Sequence, residues 1–266
     1  MSDWLHSLPV GWMAAVFFGG AYLSVAVIYA IIVEFPTSFS VRARSFSASM
    51  LSPLGTLFAL FVVFTAAQVW DDNAHAEAAV DREASELRDV LILATVFPVE
   101  SRGQLETLIH NHIEEATTKE WPMMAHRSVT LRMVPHNLVE ALQVTLALKP
   151  GSPGQAIAQR EAAIALESAL DARRQRVLIS HSAVGFLKWA CIVIQAVCVL
   201  IAIALSHEDK REAAIFAMGL FATGAAACFL LIGAYDRPFV GHPMVKPDPL
   251  LQVISEPLGT AADLKQ

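Results

Sequence analysis

The sequence predicts an all-α membrane protein: four transmembrane helices, with a cytoplasmic helical domain formed from extensions of spans two and three. Three observations lead there. Of the 266 residues, 55% are hydrophobic and only 17% charged, and the mean hydropathy is +0.50; soluble domains are about 45–50% apolar. The charges that exist are segregated along the chain. Between residues 57 and 90, LFALFVVFTAAQVWDDNAHAEAAVDREASELRDV turns from oil into a charged, alanine-rich run with no glycine, proline or turn cluster at the change. That stretch reads as one helix leaving an apolar medium without interruption.

A bilayer core about 30 Å thick needs about 20 apolar residues in a helix, and four segments qualify. Residues 11–33, 50–70 and 213–235 contain no Asp, Glu, Lys, Arg or His, and residues 182–206 contain only Lys188, placed near an end where a lysine snorkels. The first segment has neither the basic leader nor the small-residue cleavage site of a signal peptide. Four spans put both termini and residues 71–181 on one side, and the loops 34–49 and 207–212 on the other. Near the span ends the first side carries Arg82, Arg173, Arg174, Arg176, Arg237 and Lys246. The second carries Arg42, Arg44, Lys210 and Arg211. The excess predicts cytoplasmic termini and a cytoplasmic central domain in the inner (plasma) membrane. The expected organisation is spans one and two over 1–70, the helical domain over 71–181, spans three and four over 182–235, and a proline-rich tail over 236–266.

Within the central segment, Ala76, Val80, Ala84, Leu87, Leu91 and Ala94 recur at steps of four and three, an apolar stripe that continues span two into water. Pro98 ends it. A second helix is expected over 101–119, with Ser101 as its cap, with Leu105, Leu108, Ile109, His112 and Ile113 as its inner face, and with Trp121-Pro122 closing it. A third is expected over 135–148, followed by the turn KPGSPG. The fourth, over 155–180 with Ala163, Leu166, Leu170 and Val177 inward, is expected to enter span three without a break. DRPFVGHPMVKPDP, with four prolines in fourteen residues, is expected to be non-helical.

Several functions are excluded by composition and motif. A net charge of −6 and the lack of any long basic run argue against a nucleic-acid partner. Cys191, Cys198 and Cys228 lie in apolar stretches, match no metal spacing and read as small packing residues. No GxSxG, P-loop, GxGxxG or HExxH occurs and no carboxylate lies within a span, so neither an enzyme, nor a proton relay, nor a cofactor or metal is expected. HNH at residues 110–112 sits on a helix, where neighbours face different ways. His110 and His126 could join a metal site, but no i,i+4 His/Glu grouping converges on the two; they read as surface or interface histidines, and Glu114-Glu115 as a solvated face.

Three features keep two readings each. Arg173, Arg174 and Arg176 either anchor lipid headgroups or attract anions, if copies of the chain surround an axis. Ser52, Thr56, Leu60 and Val63 share one face of span two, opposite a bulkier face with Phe58, Phe61 and Phe64. That small, mildly polar stripe serves either close packing through Gly55 and Ala59 or the lining of a narrow pore. Asp236 and Arg237, where span four ends at Pro238, either anchor the structure or contact ions.

SPLGTLFALFVVFTAAQVWDDN resembles the second span of bestrophin anion channels: an early proline, a hydroxyl and aromatic-aliphatic run, then tryptophan and polar residues. Further likeness comes from a degenerate A-x-E-A-x-x-L over residues 79–87, from RRQRVLISHSAVGFLKW before span three, and from DRPFVG (Asp236, Arg237, Pro238, Phe239 and two more) closing span four. Together these resemble the bestrophin-like prokaryotic membrane proteins grouped as a domain of unknown function, the DUF4239 group. The resemblance implies cytosolic termini, a homo-oligomer, most simply a pentamer, and a second span lining an axial neck, here Ser52, Thr56 and Leu60. Two departures bear on function. Ser52 and Thr56 stand where animal bestrophins carry bulky aromatics. The acidic calcium clasp is also missing, since VGHPMVKPDP offers only Asp248. The expected function is passive conduction of ions, anions such as chloride foremost, through an axial pore lined by span two. Its partners would be other copies of the chain, membrane lipid and inorganic anions. The alternative is a non-conducting membrane sensor or scaffold.

Overall fold

The computed structural model describes residues 8–34, 38–207, 211–241 and 244–255, and among them every regular element is helical. Helix α1, Val10–Tyr29, starts after Pro9 and passes into a π turn, Ala30–Glu34. Helix α2 is continuous over Ser38–Ala94, 57 residues with Pro53 inside. There follow α3, Val99–Glu115; a π turn, Ala116–Glu120; α4, Trp121–Ala125; α5, His136–Ala147; and α6, Pro153–Ile179. Last come α7, Phe186–Ser206; α8, Arg211–Tyr235; and the short α9, Asp248–Ser255. Four stretches are long and apolar enough to cross a membrane: Val10–Ile32, the α2 region from Met50, Phe186–Ser206 and Arg211–Tyr235.

The chain divides into two compact units, Met1–Asp71 with Ala183–Met244, and Asp72–Ser182 with Val245–Gln266. In the first, the core gathers Phe58, Val62 and Val69 of α2 with Trp189, Ile192, Val199 and Ile203 of α7 and Met218, Ala225 and Ile232 of α8. An aromatic cluster joins the helices. Phe17 stacks on Trp189 at 6.0 Å, and Phe229 meets Trp189 edge-on at 6.2 Å and Phe58 at 6.3 Å. At Gly233 the α1–α8 approach is so tight that a Cβ would lie 3.0 Å from the Phe17 ring, so any side chain there would require that ring to shift.

In the second unit the apolar stripe is buried as its spacing dictates: Ala76, Val80, Ala84, Leu87, Leu91 and Ala94 face the core, while Asp81 and Asp89 are exposed. Leu105, Leu108, Ile109 and Ile113 of α3 pack inward with Leu138 and Ala141 of α5. The turn KPGSPG ends in Ser152, whose Oγ accepts from Gln155 N and caps α6. Gln159 Nε2 donates to Thr145 O and Leu148 O, satisfying the last carbonyls of α5.

Six local expectations are corrected. Residues 34–49 are not a loop throughout: α2 begins at Ser38, because SFSVRARSFSAS contains neither glycine nor proline to stop it. Ser101 does not cap α3, which starts two residues earlier behind Pro98. Trp121-Pro122 does not end the helical run. The π turn before it widens the hydrogen-bond ladder, and Pro122 falls in the first turn of α4, where its missing N–H costs nothing. The inner face of α6 is set by its alanines, Ala162, Ala165, Ala169 and Ala172, with Leu166, while Ala163 and Leu170 are only half-buried. The passage from α6 to α7 is broken over residues 180–185. Ser180 and Ser182 hydroxyls donate to Val177 O and Ile179 O, closing α6, and Gly185 starts α7 afresh. The tail is not wholly irregular either, because Asp248 and Pro249 open α9, a position proline tolerates. Of the loop cations, Lys210 lies outside the described residues and Arg42 and Arg44 fall on α2.

Candidate ion pathway and a buried ionic cluster

On α2, Phe58, Val62, Thr65 and Val69 are buried, which turns the opposite side of the helix away from its own protomer. Ser52, Thr56, Leu60 and Val63 all lie on that open side, Leu60 at 47% and Val63 at 61% exposure. Only Phe58 of the bulkier face is turned inward; Phe61 and Phe64 are exposed and border the open side. The Thr56 hydroxyl donates back to Ser52 O at 3.0 Å and Thr65 to Phe61 O at 2.8 Å, so neither carries an unsatisfied donor in apolar surroundings. Beside this face, on its Phe61–Phe64 border, a groove of about 300 Å³ is lined by Leu57, Leu60, Phe61, Phe64, Thr65 and Gln68 of α2 and by Lys188 of α7. Lys188 Nζ donates to Gln68 Oε1.

The arginine run is divided by the fold. Arg174 is exposed and pairs with Asp171 at 2.6 Å. Arg173 and Arg176 are buried inside the second unit, so instead of facing a headgroup or a passing anion each is held by carboxylates. Arg176 grips Glu83 through Nε–Oε2 at 2.7 Å and Nη2–Oε1 at 3.1 Å, and reaches Glu120 Oε2 at 3.0 Å. Arg173 Nε donates to Glu120 Oε1 at 2.9 Å and its Nη2 to the same oxygen and to Met133 O. His112 Nε2 lies 2.9 Å from Glu83 Oε1. The Arg176 guanidinium sits 4.9 Å over the Trp121 ring, whose Nε1 donates to Val245 O at 3.2 Å.

Two guanidinium groups thus meet two carboxylates within one core, and α2, the π turn and α6 are tied through them. Burial alone would raise the Glu83 carboxyl, but Arg176 and then His112 outweigh it and hold it at about 2. Glu120 is likewise lowered against its burial, by Arg176 and Arg173. Burial would lower Arg176, and the charges of Glu83 and Glu120 raise it instead. The cluster is a charged clasp in which Glu83, Glu120 and Arg176 are each held in the ionised form.

After α8, Asp236, Arg237, Pro238 and Phe239 are all buried. Asp236 Oδ1 accepts from Val184 N at 2.6 Å, joining the start of the third-span region to the end of the fourth. His110 and His126 are exposed, and His112 belongs to the clasp.

Sequence reasoning did not single out Glu83, Glu120 or Gln68. For Glu83 a signal existed: it stands four residues after Ala79 and four before Leu87, a carboxylate on the apolar stripe. Its partners carry no such local mark, because Arg176 is 93 positions away.

The chain's residues 17–250 match a domain family described as Bestrophin-like. No curated protein matches the chain. A crystal structure described as that of a membrane protein has a similar fold, with a TM-score of 0.62 at 9% identity over 93% of this chain and 99% of that one.

Proposed function

Because this chain belongs to the Bestrophin-like family and is a multi-pass membrane protein, we propose that copies of it surround an axis and conduct ions passively along the α2 face. The observation that carries this reading is the open side of α2. Ser52, Thr56, Leu60 and Val63 form an uncharged stripe that its own protomer leaves uncovered. In a ring of copies the hydroxyls of Ser52 and Thr56 would replace part of an ion's water shell. Leu60, one turn further, would form a dry collar, which gates by excluding the water an ion needs. Anions are the proposed cargo, chloride among them, and the assembly is a homo-oligomer, most simply a pentamer. The helical second unit and both termini face the cytoplasm of the plasma membrane by the positive-inside rule. Asp236, Arg237, Pro238 and Phe239 serve as a structural lock at the end of span four. Arg173 and Arg176 act within the clasp, and Arg174 remains at the surface.

Purified protein in liposomes, assayed for chloride, sodium and potassium flux, tests this directly. Flux of at least one ion above that of empty liposomes is expected, and none at all would remove the reading. A second reading is favoured by the unbroken run of α2 from Ser38 to Ala94. One continuous helix shared by an apolar and a charged segment would also serve a non-conducting sensor or scaffold. A silent but well-assembled protein would favour it.

A further inference from the structure

Over residues 11–33, 50–70, 182–206 and 213–235 the sequence carries one charged side chain, Lys188. It lies in the first turn of α7, is exposed, and donates to the neutral amide of Gln68. Among the described residues no carboxylate pairs with it. The groove it closes also contains Leu60 and Phe64. Gln68 follows Leu60 by eight residues, about 12 Å along a helix and about 80° around it, so it stands beyond the collar on the Phe61–Phe64 border of the stripe.

Ser52 and Thr56 cannot favour an anion. Both are neutral, and the Thr56 proton is given to Ser52 O, which leaves lone pairs to face outward. Lone pairs favour a cation. A path with this lining prefers anions only if a fixed positive charge stands beside it, and rings of lysine or arginine perform that task in anion pores. We infer that Lys188, steadied by Gln68, sets the sign of the ion admitted along the α2 face. The inference rests on the conduction reading above. An opposing charge, Asp71, lies exposed three residues beyond Gln68 on the same helix.

The experiment measures the chloride-to-potassium permeability ratio of the full chain in liposomes. Lys188→Gln should lower the ratio about tenfold, the low end of what a focused charge does to local ion concentration. Lys188→Arg should keep it, Lys188→Glu should invert the preference, and Asp71→Asn should raise it. Should Lys188→Gln or Lys188→Glu assemble poorly, Lys188→Cys is modified after reconstitution. A cationic thiol reagent should restore the ratio and an anionic one depress it, with the wild type, which keeps Cys191, Cys198 and Cys228, as the control. A conducting wild type whose ratio is unmoved by every change at Lys188 overturns the inference and leaves the conduction reading intact. An unmoved ratio with loss of thermal stabilisation by phosphatidylglycerol vesicles assigns the ammonium to a lipid headgroup and overturns it too. A wild type that passes no ion removes the conduction reading, and this inference with it.

Discussion

Glu83 and Arg176 are the largest departure from a purely apolar interior, both wholly buried and each satisfied by the other and by a third group, His112 or Glu120. Such pairs contribute little over apolar packing, but breaking one leaves a bare buried charge, at a cost of about 3–5 kcal/mol. Glu83→Gln is therefore expected to destabilise the second unit by roughly that amount in denaturant titrations, and Glu83→Gln with Arg176→Met to recover part of it. The pH dependence follows from the Glu83 carboxyl, which lies at about 2 against an ordinary 4.5. A depressed pKa gives stability that is fully present above 4.5 and lost as pH falls from there toward 2. The wild type should weaken steeply across that window, and Glu83→Gln more shallowly; parallel acid limbs would exclude Glu83 as the titrating group. One partner of Asp236 is a backbone amide. Asp236→Ala leaves the Val184 N–H without its acceptor at 2.6 Å and should cost about 1–3 kcal/mol. Asp236→Asn, which keeps an oxygen there, should cost less. Unchanged melting with altered conductance would move Asp236 from anchor to ion contact.

At the scale of the element, α2 carries the proposed pathway and is the most legible part of the sequence. Its burial on one side, from Phe58 to Val69 and then from Ala76 to Ala94, follows a helical period that apolar residues announce by themselves. Its start was missed because nothing in residues 38–49 marks a helix end or its absence except the lack of glycine and proline. The break between α6 and α7 was missed because serine hydroxyls turning back on Val177 and Ile179 look, as letters, like any polar helix residues. The clasp was half legible: His112 falls on a predicted inner face and Arg173 and Arg176 were visible, but their carboxylates come from distant helices. The open side of α2 allows a direct trial. Leu60→Ser, which wets the collar, should raise conductance or leave the channel constitutively open, and Thr56→Phe should narrow or close it. Were the stripe only a packing surface, both changes would lower yield or stability and leave flux per assembled particle unaltered.

At the scale of the whole molecule the difficulty is that one copy does not enclose the α2 stripe. The stripe from Ser52 to Val63 lies open on the surface of its protomer, so an ion beside it would meet protein on one side and lipid on the other. Lipid gives no hydration and no counter-charge, and a route through it is closed to ions. Under the conduction reading, further copies that each present the same face inward exclude lipid from the stripe. Identical subunits that do so close into a ring. The purified protein in mild detergent should therefore have a protein mass several times 28.8 kDa, and five times for the pentamer that the family likeness suggests. The same particle supplies the geometric test. In Leu60→Cys, a water-soluble thiol reagent should reach position 60 in the assembled ring if the collar faces an aqueous axis, as the conduction reading requires. Phe61→Cys and Phe64→Cys, on the border of the open side, should react more slowly. A particle holding one copy would end the axial pathway. An oligomer in which position 60 stays protected while 61 and 64 label would mean that α2 turns a different face to the axis.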